Sequence, residues 1–160
     1  VTSTVSRPGI GPLIFDRGPG ALRVWAAQRP PHSSLYSEPV EVNILLDGTD
    51  DLDRADLPLI VEVLGRVDHY LEAGLRFVHR TLLSDPALFG LTEAELDSYR
   101  DFRVEEFPLA SPELNFYLDE WHIRFADGRL PICHPYGLAV TFHRWTPVRV
   151  DDLSDSEEIG

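Results

Sequence analysis

Residues 119–145, DEWHIRFADGRLPICHPYGLAVTFHRW, hold three of the chain's six histidines, its one cysteine and three arginines. Trp121, Ile123 and Phe125 alternate with His122 and Arg124, the period-two pattern of a strand with one buried face. Asp127-Gly128 is the dipeptide of a type I′ hairpin turn. With that turn as a two-residue loop, Phe125 pairs with Leu130, Ile123 with Ile132, and His122 with Cys133. A second connection at Pro135-Tyr136-Gly137, with Gly137 left-handed, returns Leu138, Val140 and Phe142 to the face of Trp121. The expectation is a three-stranded meander, apolar on one side. His122, Arg124, Arg129, Cys133, Thr141 and His143 gather on the other, and His134 lies on the core side beside Trp121 as a hydrogen-bonded packing residue.

Upstream, Leu57, Ile60, Val61, Leu64, Val67, Leu71, Leu75, Val78 and Leu82 recur at three- and four-residue spacing. That periodicity predicts one long amphipathic helix from Asp56, its N-cap, to Ser84. Val63, Tyr70 and Phe77 form a second apolar line, repeating every seven residues. The line is expected to meet the next helix or a second copy of the chain, making a homodimer. Glu62 with Arg66 and Glu72 with Arg76 are i, i+4 pairs of a solvated face, and Asp68 at the seam reads as structural. Thr92 followed by Glu95 is a capping box opening a short second helix. The prolines of PLASPEL (108–114) then break the chain.

Before the helix, PLIFD (12–16) and ALRVWAA (21–27) flank RGPG as a hairpin, and residues 28–39 read as a loop. VEVNILLD (40–47) alternates as a third strand. Residues 1–11 form a loose arm and 151–160 an acidic, disordered tail. The fold expected is a single α+β domain over 1–160. An antiparallel sheet, made of the N-terminal strands and the C-terminal meander, packs on the long helix and the short one.

Lys and Arg number 14 against 27 Asp and Glu, a net charge of −13, and all the basic residues are Arg. Phosphate neutralisation and anionic membranes both call for clustered positive charge, so nucleic acid and membrane partners are disfavoured. The absence of lysine excludes a Schiff base or a P-loop lysine. No signal-peptide pattern opens the chain and one cysteine forms no internal disulfide, so a cytoplasmic protein is expected.

Function divides into two readings. In the first, the protein is a non-enzymatic binding module. Asp47, Asp50, Asp51, Asp53 and Asp56, together with the acidic tail, meet a basic protein through contacts that weaken with salt. Leu52 stands where a calcium loop starting at Asp47 needs glycine, so no metal is assigned there. In the second, His122, Cys133 and His143 serve a metal-dependent or thiol-dependent small-molecule enzyme. They supply three ligands at most, without CxxC or HxxxH spacing, so neither a metal nor a cofactor is assigned. No GxSxG or dinucleotide fingerprint is present, and binding is favoured over catalysis.

The segments DEWHIRFADG (119–128) and HPYGLAVTF (134–142), with their Trp and Gly landmarks in a small acidic chain, carry a resemblance. The chain resembles small bacterial domains, of actinobacterial type, that include the immunity proteins of polymorphic toxin systems. The resemblance implies an α+β protein of the cytoplasm that binds and blocks a cognate toxin and has no catalytic residues of its own.

Overall fold

The structure is a computed structural model and describes residues 3–101 and 103–154. Among them, alternating sequences build eight strands: β1 (Thr4–Arg7), β2 (Gly11–Arg17), β3 (Leu22–Ala27), β4 (Glu41–Asp47), β5 (Leu109–Phe116), β6 (Trp121–Gly128), β7 (Leu138–His143) and β8 (Thr146–Asp152). They form one sheet in sequence order, each beside its neighbour in the chain. Six of the seven pairings are antiparallel, but β4 and β5 run parallel. The all-antiparallel α+β layout expected from sequence is therefore corrected to a mostly-sheet fold with a mixed sheet. The reason lies in residues 48–108. They carry the helices and return the chain to the end of the sheet where β4 began, and a crossover of that kind delivers a parallel neighbour.

The period-two pattern sorts the two faces of the sheet. Val42, Leu114, Ile123, Val140 and Val150 stand in one row across β4 to β8, and Ile44, Phe116, Trp121, Phe142 and Pro147 in the next. These rows face the helices. Trp121 stacks between Phe116, 5.4 Å away, and Phe142, 4.2 Å away, and its Nε1 donates to the carbonyl of Arg144 at 2.7 Å. Burying such a ring contributes on the order of 2–3 kcal/mol by area alone. Tyr70 meets both Trp121 and Phe142 edge-on at 5.7 and 6.2 Å, which seats its helix on this part of the sheet.

The long helix is two helices, α1 (Leu57–Gly65) and α2 (Val67–Ser84). Arg66 between them departs from helical geometry at φ −134°, directly after Gly65, a poor helix former. Asp56 caps α1 as expected, accepting from the Leu59 amide at 3.2 Å. The Thr92–Glu95 capping box opens α3 (Glu93–Leu96). No helix among the described residues is long and apolar enough to cross a membrane.

The meander departs most from expectation. Asp127-Gly128 is no hairpin turn: Ala110 and Leu109 of β5 pair with these two residues, and β6 runs through them. Gly128 is required by packing, because a Cβ there would lie 2.5 Å from the Cys133 sulfur and 2.9 Å from the Pro108 carbonyl. Leu130, Ile132 and Cys133 are buried in the connection, not on a strand. Leu138 takes the place beside Phe125, Val140 beside Ile123, and Thr141 beside His122. Gly137 is left-handed as expected, at φ +83°, and any Cβ would collide with the Phe125 carbonyl. His134 is exposed, not packed beside Trp121.

Both chain ends contribute strands. The arm expected over 1–11 contains β1, and β8 extends to Asp152 into the expected acidic tail, of which residues 155–160 lie outside the described residues. PLASPEL also joins the sheet, all but its first proline lying in β5.

Candidate functional site

On the face turned away from the helices, polar residues replace the apolar rows. Asn43, Asn115, His122, Thr141 and Arg149 lie side by side across five strands, and Glu41, Glu113, Arg124, Ala139 and Asp151 form the row beside them. Cross-strand neighbours on one face of a sheet are close enough to bond directly. Asn43 Nδ2 donates to Asn115 Oδ1 at 3.0 Å, and Asn115 Nδ2 donates to His122 Nε2 at 2.9 Å and to Glu113 Oε1 at 3.2 Å. Arg124 Nη1 donates to the same Glu113 oxygen at 3.1 Å, while its Nε donates to the Tyr136 carbonyl at 3.0 Å. Further along, Thr141 Oγ1 donates to Asp151 at 2.6 Å, and Arg149 bridges Asp151 and Glu120.

Much of this network is withdrawn from water: Asn115 is 6% exposed and Thr141 1%. Burial, outweighing the nearby carboxylates of Glu113, Asp151 and Glu120, pushes the His122 pKa down to about 4. The imidazole is therefore neutral at pH 7. It accepts at Nε2 from Asn115, which places its proton on Nδ1. The arrangement orients a neutral imidazole and leaves no positive charge on it to activate a thiol or bind an anion.

The structure does not bring His122, Cys133 and His143 together. Cys133 lies against Gly128, six residues along β6 from His122, or about 20 Å at strand rise. Its thiol is buried at 5% exposure and pushed up to about 11 by that burial. His143 shares the outer face but is exposed at the end of β7. Among the described residues, no three or more His, Cys, Asp or Glu side chains are grouped to hold a metal ion.

The acidic segment 47–56 is an anchored loop. Leu52 and Ala55 are buried in the core, and Asp51 accepts from the Asp53 amide at 3.1 Å to cap a short turn. Asp47, Asp50, Asp51 and Asp53 are exposed. Asp50 pairs with Arg23 at 2.8 Å and Asp53 with Arg7 at 3.0 Å, while Asp56 is occupied with the cap of α1. Surface pairs of this kind contribute about 0–1 kcal/mol each, so they leave the carboxylates available to a partner. The line offered to a second copy is occupied within the chain: Val63 and Tyr70 are buried in the core and Phe77 is packed half-buried against it.

β5 starts at Leu109, but β4 joins it only at Glu41, opposite Glu113. A cleft of about 590 Å³ opens where the two strands part, with Tyr36, Glu38, Pro39, Glu41, Pro112 and Glu113 in its walls. Proline has no N–H, so Pro39 and Pro112 cannot extend the ladder that would close it. The 28–39 loop that forms one wall is tied to α2 by Asp68. That carboxylate accepts from the hydroxyls of Ser33 at 2.5 Å and Ser34 at 2.6 Å and from the Ser34 amide at 3.1 Å. These bonds hold the Asp68 carboxyl below its ordinary pKa. The prolines and glutamates are visible in the sequence, but the composition of PLASPEL predicts only a break. No family model, no curated protein and no solved structure matches this chain.

Proposed function

We propose that the protein is a non-enzymatic, cytoplasmic binding module that engages a basic partner protein through its acidic surface, as an immunity-type protein does when it neutralises a toxin. The observation that carries this reading is the anchored 47–56 loop. Leu52 and Ala55 pin it to the core while four aspartates stay exposed. A surface held in one shape before binding loses little conformational freedom on association. The net charge of −13 adds long-range attraction for a cationic partner, and that attraction weakens as salt is added.

The test uses the intact protein as bait in extract of the native host at low ionic strength, with elution by a salt gradient. A basic protein should elute as salt rises. With that partner purified, changing Asp47, Asp50, Asp51 and Asp53 together to Asn should weaken binding by about tenfold or more, in the range measured for charged interface groups. Asp56 is left in place to keep the cap of α1. Retention of no basic protein at low salt overturns the reading, and equal affinity of the variant removes the loop from it.

A further inference from the structure

The cleft between β4 and β5 has a chemistry of its own. Glu41 and Glu113 are register partners on a parallel ladder, which sets two carboxylates directly beside one another. Like charges so placed are destabilising unless something neutralises them. Arg124 does so for Glu113, at 3.1 Å. Among the described residues neither Glu41 nor Glu38 has an ion-pair partner, and both are exposed at the mouth. With Glu38, Glu41 and Glu113 set against Arg124, the site carries about two unbalanced negative charges.

The rest of the wall is mainly apolar and poor in donors. Proline contributes no N–H, the Tyr36 hydroxyl is spent on the Leu109 carbonyl at 3.3 Å and that of Ser111 on Asp127 at 2.9 Å, which leaves the exposed Ser37 hydroxyl as the side-chain donor of the wall. The unbalanced carboxylates favour a ligand that brings positive charge and donors, on a stem that can lie against a phenol ring and prolines. The arginine side chain answers all of these. Its planar guanidinium bonds a carboxylate through two parallel N–H groups and stacks on aromatic faces, and its methylenes pack on apolar walls. A cleft of about 590 Å³ lies within the size range of ligand sites and admits such a side chain.

We infer that this cleft is the receptor for an arginine side chain presented by the basic partner, held between Glu38 and Glu41 against Tyr36. The inference rests on the binding-module reading and locates a second contact, distinct from the 47–56 loop.

The test is a titration of the full chain, followed by amide NMR at low ionic strength, with N-acetyl-arginine amide as probe and the neutral isostere N-acetyl-citrulline amide as control. Saturable shifts confined to residues 36–41 and 110–113 are expected with the arginine probe. Binding should be about tenfold weaker with the citrulline probe or with Glu38→Gln/Glu41→Gln, both exposed sites whose change leaves the spectrum folded. Equal response to the two probes, or shifts spread over 47–56 without saturation, overturns the inference. The two proposals fail separately. A basic partner bound equally well by Glu38→Gln/Glu41→Gln leaves the binding module standing without the cleft as its receptor. A cleft that takes the arginine probe in a protein retaining no basic partner removes the binding-module reading instead.

Discussion

Replacing His122 with Gln should make the protein less sensitive to acid than the parent, and the size of the effect follows from its place on the sheet. His122 is neutral in the folded protein, with its pKa pushed down to about 4 from an ordinary 6.5. In the unfolded chain it titrates near 6.5. As pH falls below that value the unfolded chain takes up a proton that the folded protein refuses, so stability falls until the folded pKa is reached. The stability is fully present above about pH 6.5 and is lost across the window down to about 4. A shift of 2.5 units corresponds to about 3 kcal/mol at 1.36 kcal/mol per unit, nearly all of it lost by pH 4. Gln has no such titration, and its side-chain oxygen can accept the bond from Asn115 that His122 Nε2 now accepts. Urea unfolding of both proteins at pH 7, 5.5 and 4 measures the difference. Between pH 7 and 4 the parent should lose up to about 3 kcal/mol more than His122→Gln. Acids remote from His122 lose their own contributions equally in both proteins and drop out of the difference, which reports the imidazole with its coupling to Glu113, Asp151 and Glu120. Parallel pH profiles for the two proteins, or a His122 ring titrating near 6.5 by NMR, would refute the reasoning.

Two other outcomes are expected. Asp68→Ala removes the acceptor for Ser33 and Ser34 and should cost about 2 kcal/mol, a fall in Tm of about 4–8 °C in a scanning measurement, with proteolysis appearing first in the 28–39 loop. Because the bonds lower the folded pKa of Asp68, its contribution is present above the ordinary carboxylate range and is lost as pH falls through the folded value; the parent and Asp68→Ala should therefore converge in acid. Cys133, buried and with its thiol pushed up to about 11, should react with a disulfide reagent at pH 8 only when the protein opens. Urea should accelerate that reaction by orders of magnitude, and immediate stoichiometric labelling of the native protein would show that the thiol is accessible after all.

Local chemistry was legible where the neighbours that decide it lie close in the chain. Asp56 and the Thr92–Glu95 pair act within one helical turn, so their caps follow from spacing. Trp121, Ile123 and Phe125 turn inward and His122 and Arg124 outward because the pleat alternates, whichever strand comes next. The turn propensity of Asp127-Gly128 competes with a distant requirement that overrides it: the room taken by Cys133 and Pro108 demands glycine inside a strand. The same limit hid the cleft, which depends on where β4 begins against a strand some seventy residues away.

From the sequence alone came the alternation of β4, β6 and β7, the amphipathic helical segment, the caps, the left-handed Gly137 and the acidic character, all properties of residues within a turn or two of one another. Tertiary structure alone decided that β4 and β5 run parallel and that His122, Cys133 and His143 stay apart. It also decided that Glu38, Glu41 and Glu113 meet around one cleft. Those outcomes depend on strand partners and register, and an alternating segment is equally compatible with many partners until the core it shares with the helices selects one.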